Sequence, residues 1–205
     1  MIGCTPKPEV RFLEPQPRNK HDLKEFPREY QGQYISKSDS SILTIDSKMI
    51  YQEWIGFSKV SDVEMQNELD TIYKEDIEIE ISDNWTMTVD VEGDSATIET
   101  YGIDTLFLLS ENTKLRKFKG YLFLNYSSSD STWRVKILKL DDNLLDFEKL
   151  VSSSEIDTLR EVTSIITVID TVTNKPDHHD LKPKRRELKA ILERKVSDSG
   201  FIKIK

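Results

Sequence analysis

The stretch IEIEISDNWTMTVDV, residues 77–91, decides the fold class of this chain. Isoleucine alternates with glutamate from residue 77 to residue 81. After the turn-forming pair Asp83-Asn84, apolar side chains return at every second position from Trp85 to Val91. A period of two is typical of a strand with one buried and one wetted face. The stretch therefore predicts two adjacent antiparallel strands joined by a short turn.

The same alternation, bounded by turn-forming residues, recurs after residue 29. It predicts further strands over 31–36, 42–45, 48–54, 97–101, 105–110, 133–137, 145–147 and 201–204. The segment 118–126 is apolar on both faces, which is typical of a central strand. Capping and amphipathic signals predict short helices over 62–70, 155–161 and 183–195. We therefore predict a mainly β fold, an antiparallel meander closed into a barrel or barrel-like sandwich, with one to three short helices mostly late in the chain.

The prolines indicate how the chain is divided. Five of its 7 prolines lie in the first 27 residues, among charged and amide side chains with few apolar ones. Such a composition is typical of an extended, poorly packed segment. It predicts a Pro-rich tether over 1–28, followed by a single β-rich domain over 29–205.

Composition excludes several classes of site. The 7 glycines are spread along 205 residues, so no Gly-rich phosphate-binding loop can be assembled. With 3 histidines and 1 cysteine, the usual ligand sets of zinc sites and the cysteine pairs of disulfide frameworks are missing. We expect no cofactor. No run of apolar residues approaches the roughly 18 that a membrane-spanning helix needs.

Charge is distributed unevenly along the chain. The net charge is −8, and residues 53–104 alone hold 15 acidic and 2 basic residues, which is a local net charge of −13. An acidic segment repels a phosphate backbone, so we expect no nucleic-acid partner. The same segment could instead dock a protein partner of opposite charge, which is the alternative function that we consider.

The N-terminal Met1-Ile2-Gly3-Cys4 resembles the end of a bacterial lipobox, in which a small residue precedes the cysteine that is lipidated. Cys4 is the sole cysteine in the chain, and a polar, Pro-containing segment follows it. These features predict lipidation of Cys4 and attachment to a membrane. The alternative is an ordinary thiol near the N-terminus of a cytoplasmic protein.

Asp177, His178, His179 and Asp180 place four metal-capable side chains in a row. Neighbours on an extended chain point to opposite sides, so adjacent residues rarely hold one ion without help. We therefore treat the four as weak metal candidates in a polar loop. A hydrolase that uses Asp177, His178 or His179 is a third and more distant hypothesis, because a catalytic site needs further converging polar groups. We predict no catalytic residue and expect a non-enzymatic protein.

Inward-facing positions on the predicted strands give a candidate ligand site. They are Trp85, Met87, Val89, Leu122 and Leu124. In a barrel such side chains can line a cavity for a small hydrophobic molecule, whereas in a filled core they serve only as packing. Both alternatives stay open at the level of sequence.

Several segments together are similar to a family of small lipoproteins of unknown function from Bacteroidota-type bacteria, some of them lipocalin-like. The resemblance rests on Cys4, FPREYQGQY (26–34), ILTI (42–45), LRKFKGYLFLN (115–125), WRV (133–135), the helix from Pro183 and FIKIK (201–205). It implies a barrel-like β fold and a lipid-anchored address in the bacterial cell envelope, at the outer membrane or on the periplasmic side. The leading expectation is thus a lipid-anchored, non-catalytic envelope protein that binds a small hydrophobic ligand or an envelope protein.

Overall fold

The described strands all belong to one large sheet. The computed structural model describes residues 7–61, 77–82, 84–92, 95–128, 130–195 and 200–204. Within them, fourteen strands form a single sheet and two short α-helices occur late in the chain. The prediction of a mainly β protein is confirmed. The helix predicted over 62–70 lies outside the described residues.

The strands, numbered in chain order, are β1 Glu9–Phe12, β2 Gly32–Ser36, β3 Ile42–Ile45, β4 Met49–Ser61, β5 Ile77–Ser82, β6 Trp85–Glu92, β7 Ser95–Leu108, β8 Thr113–Phe118, β9 Tyr121–Ser127, β10 Trp133–Asp141, β11 Leu144–Lys149, β12 Ile165–Ile169, β13 Pro176–Leu181 and β14 Gly200–Lys203. The helices are a 3₁₀ turn at Ser153–Glu155, α1 Ile156–Leu159 and α2 Arg185–Glu193. Helix α2 begins close after Pro183, as the sequence predicts.

The sheet has free ends in the described residues. Its main path runs β12-β13-β1-β10-β11-β14-β2-β3-β4-β7-β6-β5, and β8 and β9 branch from β10. No pairing between the described strands closes this path into a barrel. Most neighbours are antiparallel, but β1 runs parallel to β13. A parallel pair joins segments far apart in sequence, and here it places the N-terminal strand inside the sheet.

The segment predicted as a tether contributes a strand and several buried residues to the fold, which corrects that prediction. Strand β1 lies between β13 and β10, with Phe12 1% exposed. Gln16 is fully buried, and Phe26 is 1% exposed. Although proline and charged residues dominate this segment, its few apolar side chains enter the core and its backbone finds buried hydrogen-bond partners.

Two side chains hold this N-terminal segment. Asn125 on β9 accepts a hydrogen bond from the Gln16 N–H at 2.6 Å and donates one to the Gln16 carbonyl at 2.8 Å. Arg116 on β8 donates to the Pro15 and Pro17 carbonyls, at 2.6 and 2.9 Å. These bonds satisfy the backbone of a segment that forms no regular ladder there.

Two predicted strand boundaries are wrong. The segments 97–101 and 105–110 belong to one long strand, β7, which pairs with β4 through a register shift near Tyr51. The segment 118–126 is divided by a turn at Lys119-Gly120, where φ is 53° and 82°. Two successive positive φ values are typical of a two-residue hairpin loop, and this turn creates strand β8, which the sequence did not predict.

Strand β9 separates two hydrophobic cores, so its predicted central position is confirmed. Leu122 and Leu124 enter one of them, which we call the strand-side core. Phe123 enters the other, which we call the helix-side core. The helix-side core also contains Leu188 of α2. The strand-side core combines residues from β2, β3, β4, β7, β8, β9, β10 and β11, with Phe26 and Tyr30 from the N-terminal segment.

A four-stranded extension, which we call the wing, projects from this double core. Strand β3 ends its pairing with β4 at Ile42 opposite Glu53, so residues 54–61 of β4 have β7 as their described neighbour. Residues 95–102 of β7 then pair with β6, and β6 pairs with β5. The wing therefore contains the predicted IEIEI and WTMTVDV strands, whose adjacent antiparallel arrangement is confirmed.

Candidate functional site

Asp177, His178, His179 and Asp180 lie in strand β13 rather than in the predicted polar loop, which corrects that prediction. The His178 Nδ1 is 2.7 Å from the Asp177 carboxylate, and its Nε2 is 3.6 Å from the Asp180 carboxylate. His179 is buried and shares a 3.0 Å hydrogen bond with the Thr167 hydroxyl of β12. Because β13 is extended, the two histidines have separate partners and do not converge.

The two histidines of β13 have the surroundings of ordinary sheet residues. Burial, with a smaller effect of the Arg160 charge, lowers the pKa of His179, so the neutral imidazole is favoured. Among the described residues, no group of three or more His, Cys, Asp or Glu side chains could hold a metal ion. The contacts of His178 and His179 are those of residues within a sheet.

The five predicted ligand residues do not form one site. Trp85, Met87 and Val89 lie on β6 in the wing, whereas Leu122 and Leu124 lie on β9 in the strand-side core. Val89 packs with Ala96 in a small cluster of the wing. The predicted residues therefore occupy two separate regions of the fold.

The strand-side core is filled by side chains at the predicted ligand positions Leu122 and Leu124. Leu122 and Leu124 have no exposed surface, and no buried member of this core is more than 3% exposed. The Tyr34 hydroxyl in this core donates a 2.6 Å hydrogen bond to the Tyr30 carbonyl. Burial, and then the proximity of Tyr30, raises the pKa of Tyr34 to about 12. Leu122 and Leu124 thus present no surface to a ligand in this conformation.

Cys4 lies outside the described residues, so its predicted lipidation stays a prediction. The described helices include none with the length and hydrophobicity to cross a membrane.

The wing exposes apolar side chains next to acidic ones. Phe57 is 71% exposed and Ile55 is 56% exposed, and both lie on the same side of β4. In register, Phe57 faces Glu99 and Ile55 faces Tyr101, so all four side chains share one surface, which we call the wing face. The Tyr101 hydroxyl donates a 3.0 Å hydrogen bond to the Glu53 carboxylate. Partial burial, and then this carboxylate, raises the pKa of Tyr101, so its hydroxyl stays protonated.

On the opposite side of the wing, Trp54 and Trp85 pack against each other, and Trp85 keeps 37% of its surface exposed. The rings of Trp54 and Trp85 meet edge to face at 4.7 Å, and the Trp54 indole N–H donates to Asp104 at 3.1 Å. Gly102 lies beneath this pair, and a Cβ there would come within 2.6 Å of the Trp54 ring. The glycine is required by close contact, and the contact fixes the tryptophan against the sheet.

Charge on the wing is almost entirely negative. Residues 54–61, 77–82, 85–92 and 95–102 carry five acidic side chains and one basic one, Lys59. Glu99 and Asp90 are exposed. The wing face is therefore an apolar patch surrounded by negative charge. Such a surface favours a positively charged partner whose apolar side chain can contact the patch.

Ile55 and Phe57 were not predicted as surface residues from the sequence. Trp54 lies on one face of the strand, and Ile55 and Phe57 lie on the other, so both faces carry large apolar side chains. This is unusual for a strand with only one buried face, and it was the available signal that one apolar face is exposed. The exposure itself is seen only in the folded chain, where Ile55 and Phe57 are 56% and 71% exposed.

Comparison with known proteins adds no family: no protein-family model, no curated protein and no solved structure matches this chain.

Proposed function

We propose that this chain is a lipid-anchored, non-catalytic protein of the bacterial cell envelope that docks a basic protein partner through the wing face. The observation that carries the docking proposal is the exposure of Ile55 and Phe57 beside Glu99, on the most acidic segment of the chain. Large exposed apolar side chains surrounded by polar ones are typical of interaction sites. The negative field of the wing would orient the partner during the encounter.

The filled strand-side core favours docking over the binding of a hydrophobic molecule inside a barrel. The barrel-like, lipocalin-like form of the sheet belongs to the same proposal. It is supported by contacts between strands that are not neighbours in the sheet. The Tyr126 hydroxyl of β9 donates to the Leu106 carbonyl of β7 at 2.7 Å, and the rings of Tyr126 and Phe107 lie 5.2 Å apart. These contacts bring β7 and β9 to the same core without backbone pairing.

The docking proposal can be tested with a synthetic peptide of alternating lysine and leucine, titrated into the full chain by isothermal calorimetry. Replacing Phe57 with serine is expected to weaken binding roughly 30-fold, since a central apolar contact typically contributes about 2 kcal/mol. Phe57 is largely exposed, so the variant should fold normally. Raising the salt concentration should weaken binding to the unmodified chain as well, because the charges are exposed and screened.

Val172→Ser is the matched control, since Val172 is 91% exposed in the turn between β12 and β13 and lies outside the wing. We expect the control to bind as the unmodified chain does. Equal affinities of the Phe57 and Val172 variants would refute docking at the wing face.

The anchor is tested separately by mass spectrometry of the N-terminal peptide from protein made in its own host. A diacylglyceryl group on the Cys4 sulfur is expected. A free Cys4 thiol in that preparation would overturn the membrane attachment while leaving the docking result unaffected.

A further inference from the structure

A cleft opens where strand β10 changes partner along one of its edges. Strand β1 contacts β10 at Phe12 opposite Trp133, and β11 begins its pairing at Lys149 opposite Lys136. Between these points, the Leu150 N–H donates to the Val135 carbonyl at 2.9 Å. The cleft has a volume of about 540 Å³, within the range of small-molecule sites.

The walls of the cleft are strongly basic. Lys136 and Lys149 are direct cross-strand neighbours, and Arg134 lies two residues along β10 on the same side as Lys136. Lys7, the first residue that the structure describes, also lines the cleft. Glu9 is the acidic member of the described lining, and it is already engaged by Arg11 at 2.9 Å and by Arg134 at 3.6 Å.

Lys136 is partly buried in the cleft and contacts an aromatic ring. Its ammonium lies 4.9 Å from the centre of the Phe147 ring, and the described residues provide no carboxylate partner for it. Partial burial lowers the pKa of Lys136, and the charges of Lys149 and Arg134 lower it further. Like charges directly opposite each other in a sheet are destabilising, so the cleft holds repulsion that a bound anion would relieve.

We propose that this cleft binds a phosphate group, held by the ammonium groups of Lys136 and Lys149 and the guanidinium group of Arg134. Arginine and lysine together are the usual protein donors to phosphate oxygens. Val10, Phe12 and Ser153 also line the cleft, and its volume of about 540 Å³ leaves room for an organic substituent on the phosphate. This site depends neither on a lipid at Cys4 nor on the wing face.

Two sources could supply the phosphate, a free phosphorylated small molecule or the headgroup of an anionic phospholipid. The full chain is therefore titrated at constant ionic strength with inorganic phosphate, with glycerol 3-phosphate, and with vesicles of phosphatidylcholine and phosphatidylglycerol. Binding of the soluble probes is measured by changes in backbone amide chemical shifts, and binding of the vesicles is measured by co-sedimentation. Saturable shifts over residues 7–10, 134–136 and 149–153 are expected.

The variant Lys136→Met keeps the aliphatic volume and removes the charge. It should weaken phosphate binding about tenfold, as the loss of one charge-assisted hydrogen bond predicts. Lys139→Met is the matched control: Lys139 is on the same strand, on its opposite face, and also lies near an aromatic ring, that of Tyr121 at 5.8 Å. This control removes the same charge and should leave the affinity unchanged.

The outcomes separate the two sources. If vesicles bind, and if inorganic phosphate displaces them and Lys136→Met weakens their binding, the phospholipid headgroup is the source of the phosphate. Binding of the soluble phosphates without vesicle binding assigns a free molecule. Shifts that do not saturate, or equal weakening by Lys136→Met and Lys139→Met, would overturn the site.

Discussion

Replacing Asn125 with alanine is expected to lower the free energy of unfolding by about 3 kcal/mol, because several buried polar groups would lose their partners at once. Asn125 is fully buried and bonds both backbone groups of Gln16. Its amide also donates to the Lys114 carbonyl at 3.0 Å. Alanine would leave the N–H and carbonyl of Gln16 buried without a side chain to satisfy them, so segment 7–28 should loosen first.

Urea unfolding followed by circular dichroism measures the loss of stability, and limited proteolysis measures the release of the N-terminal segment. The control is Asn143→Ala, an exposed asparagine in the turn between β10 and β11. We expect less than about 0.5 kcal/mol from that surface change. If the two variants were equally stable, the packing of segment 7–28 through Asn125 would be wrong.

Replacing Arg116 with methionine should cost a similar amount, about 3 kcal/mol, because charge-assisted hydrogen bonds to buried carbonyls would be lost. The Arg116 side chain is 10% exposed and bonds the carbonyls of Pro15 and Pro17. It also donates to the Asp22 carboxylate at 2.6 Å. The Asp22 side chain is 44% exposed, so water can replace the arginine there, and the two carbonyls account for most of the expected loss.

Lys114→Met provides a matched comparison, since Lys114 pairs with the same Asp22 carboxylate at 3.8 Å but is 34% exposed. An exposed pair of this kind contributes less than about 1 kcal/mol. Chemical denaturation of both variants decides the matter: a loss in Lys114→Met as large as that in Arg116→Met would show that the ion pair, and not the carbonyl contacts, holds the segment.

The packing of the N-terminal segment also changes how the proposed anchor would work. A tether of 1–28 would let the domain move far from a membrane, whereas β1 begins at Glu9. Glu9 is five positions after Cys4, and an extended chain over five positions spans at most about 18 Å. Under the proposed lipidation, the part of the sheet around β1 would stay close to the bilayer. The lining of the basic cleft includes Lys7 and Glu9, so the cleft lies in this part of the fold.

Strands with local signals were predicted well. The hairpin of β3 and β4, the adjacent β5 and β6, and the central position of β9 all follow from alternation and turn residues within a few positions of each other. Their pairing needs only a short loop, so local sequence is sufficient. The exception is the Lys119-Gly120 turn, where a glycine inside an apolar run was the signal that was missed.

The candidate sites were harder to predict, because their residues are brought together by pairing over long sequence distances. Phe57 is exposed on the wing face, and its cross-strand neighbour Glu99 is 42 positions away along the chain. The basic cleft needs β1 beside β10, which joins residue 12 to residue 133. The alternation in a strand tells which side chains share a face, but not which strand lies beside it.

The sequence by itself determined the β class, most strand positions, the acidic middle segment and the two-faced character of β9, because each depends on residue type and a period of two. Only the tertiary structure decided that the Pro-rich segment contributes strand β1 and buried residues such as Gln16 and Phe26 to the fold. It also decided that Asp177 to Asp180 lie in a strand, and that Leu122 and Leu124 belong to a filled core. The physical reason is that burial and register are set by contacts between distant segments. Each such contact is chosen by the free energy of the whole fold and not by the local chain.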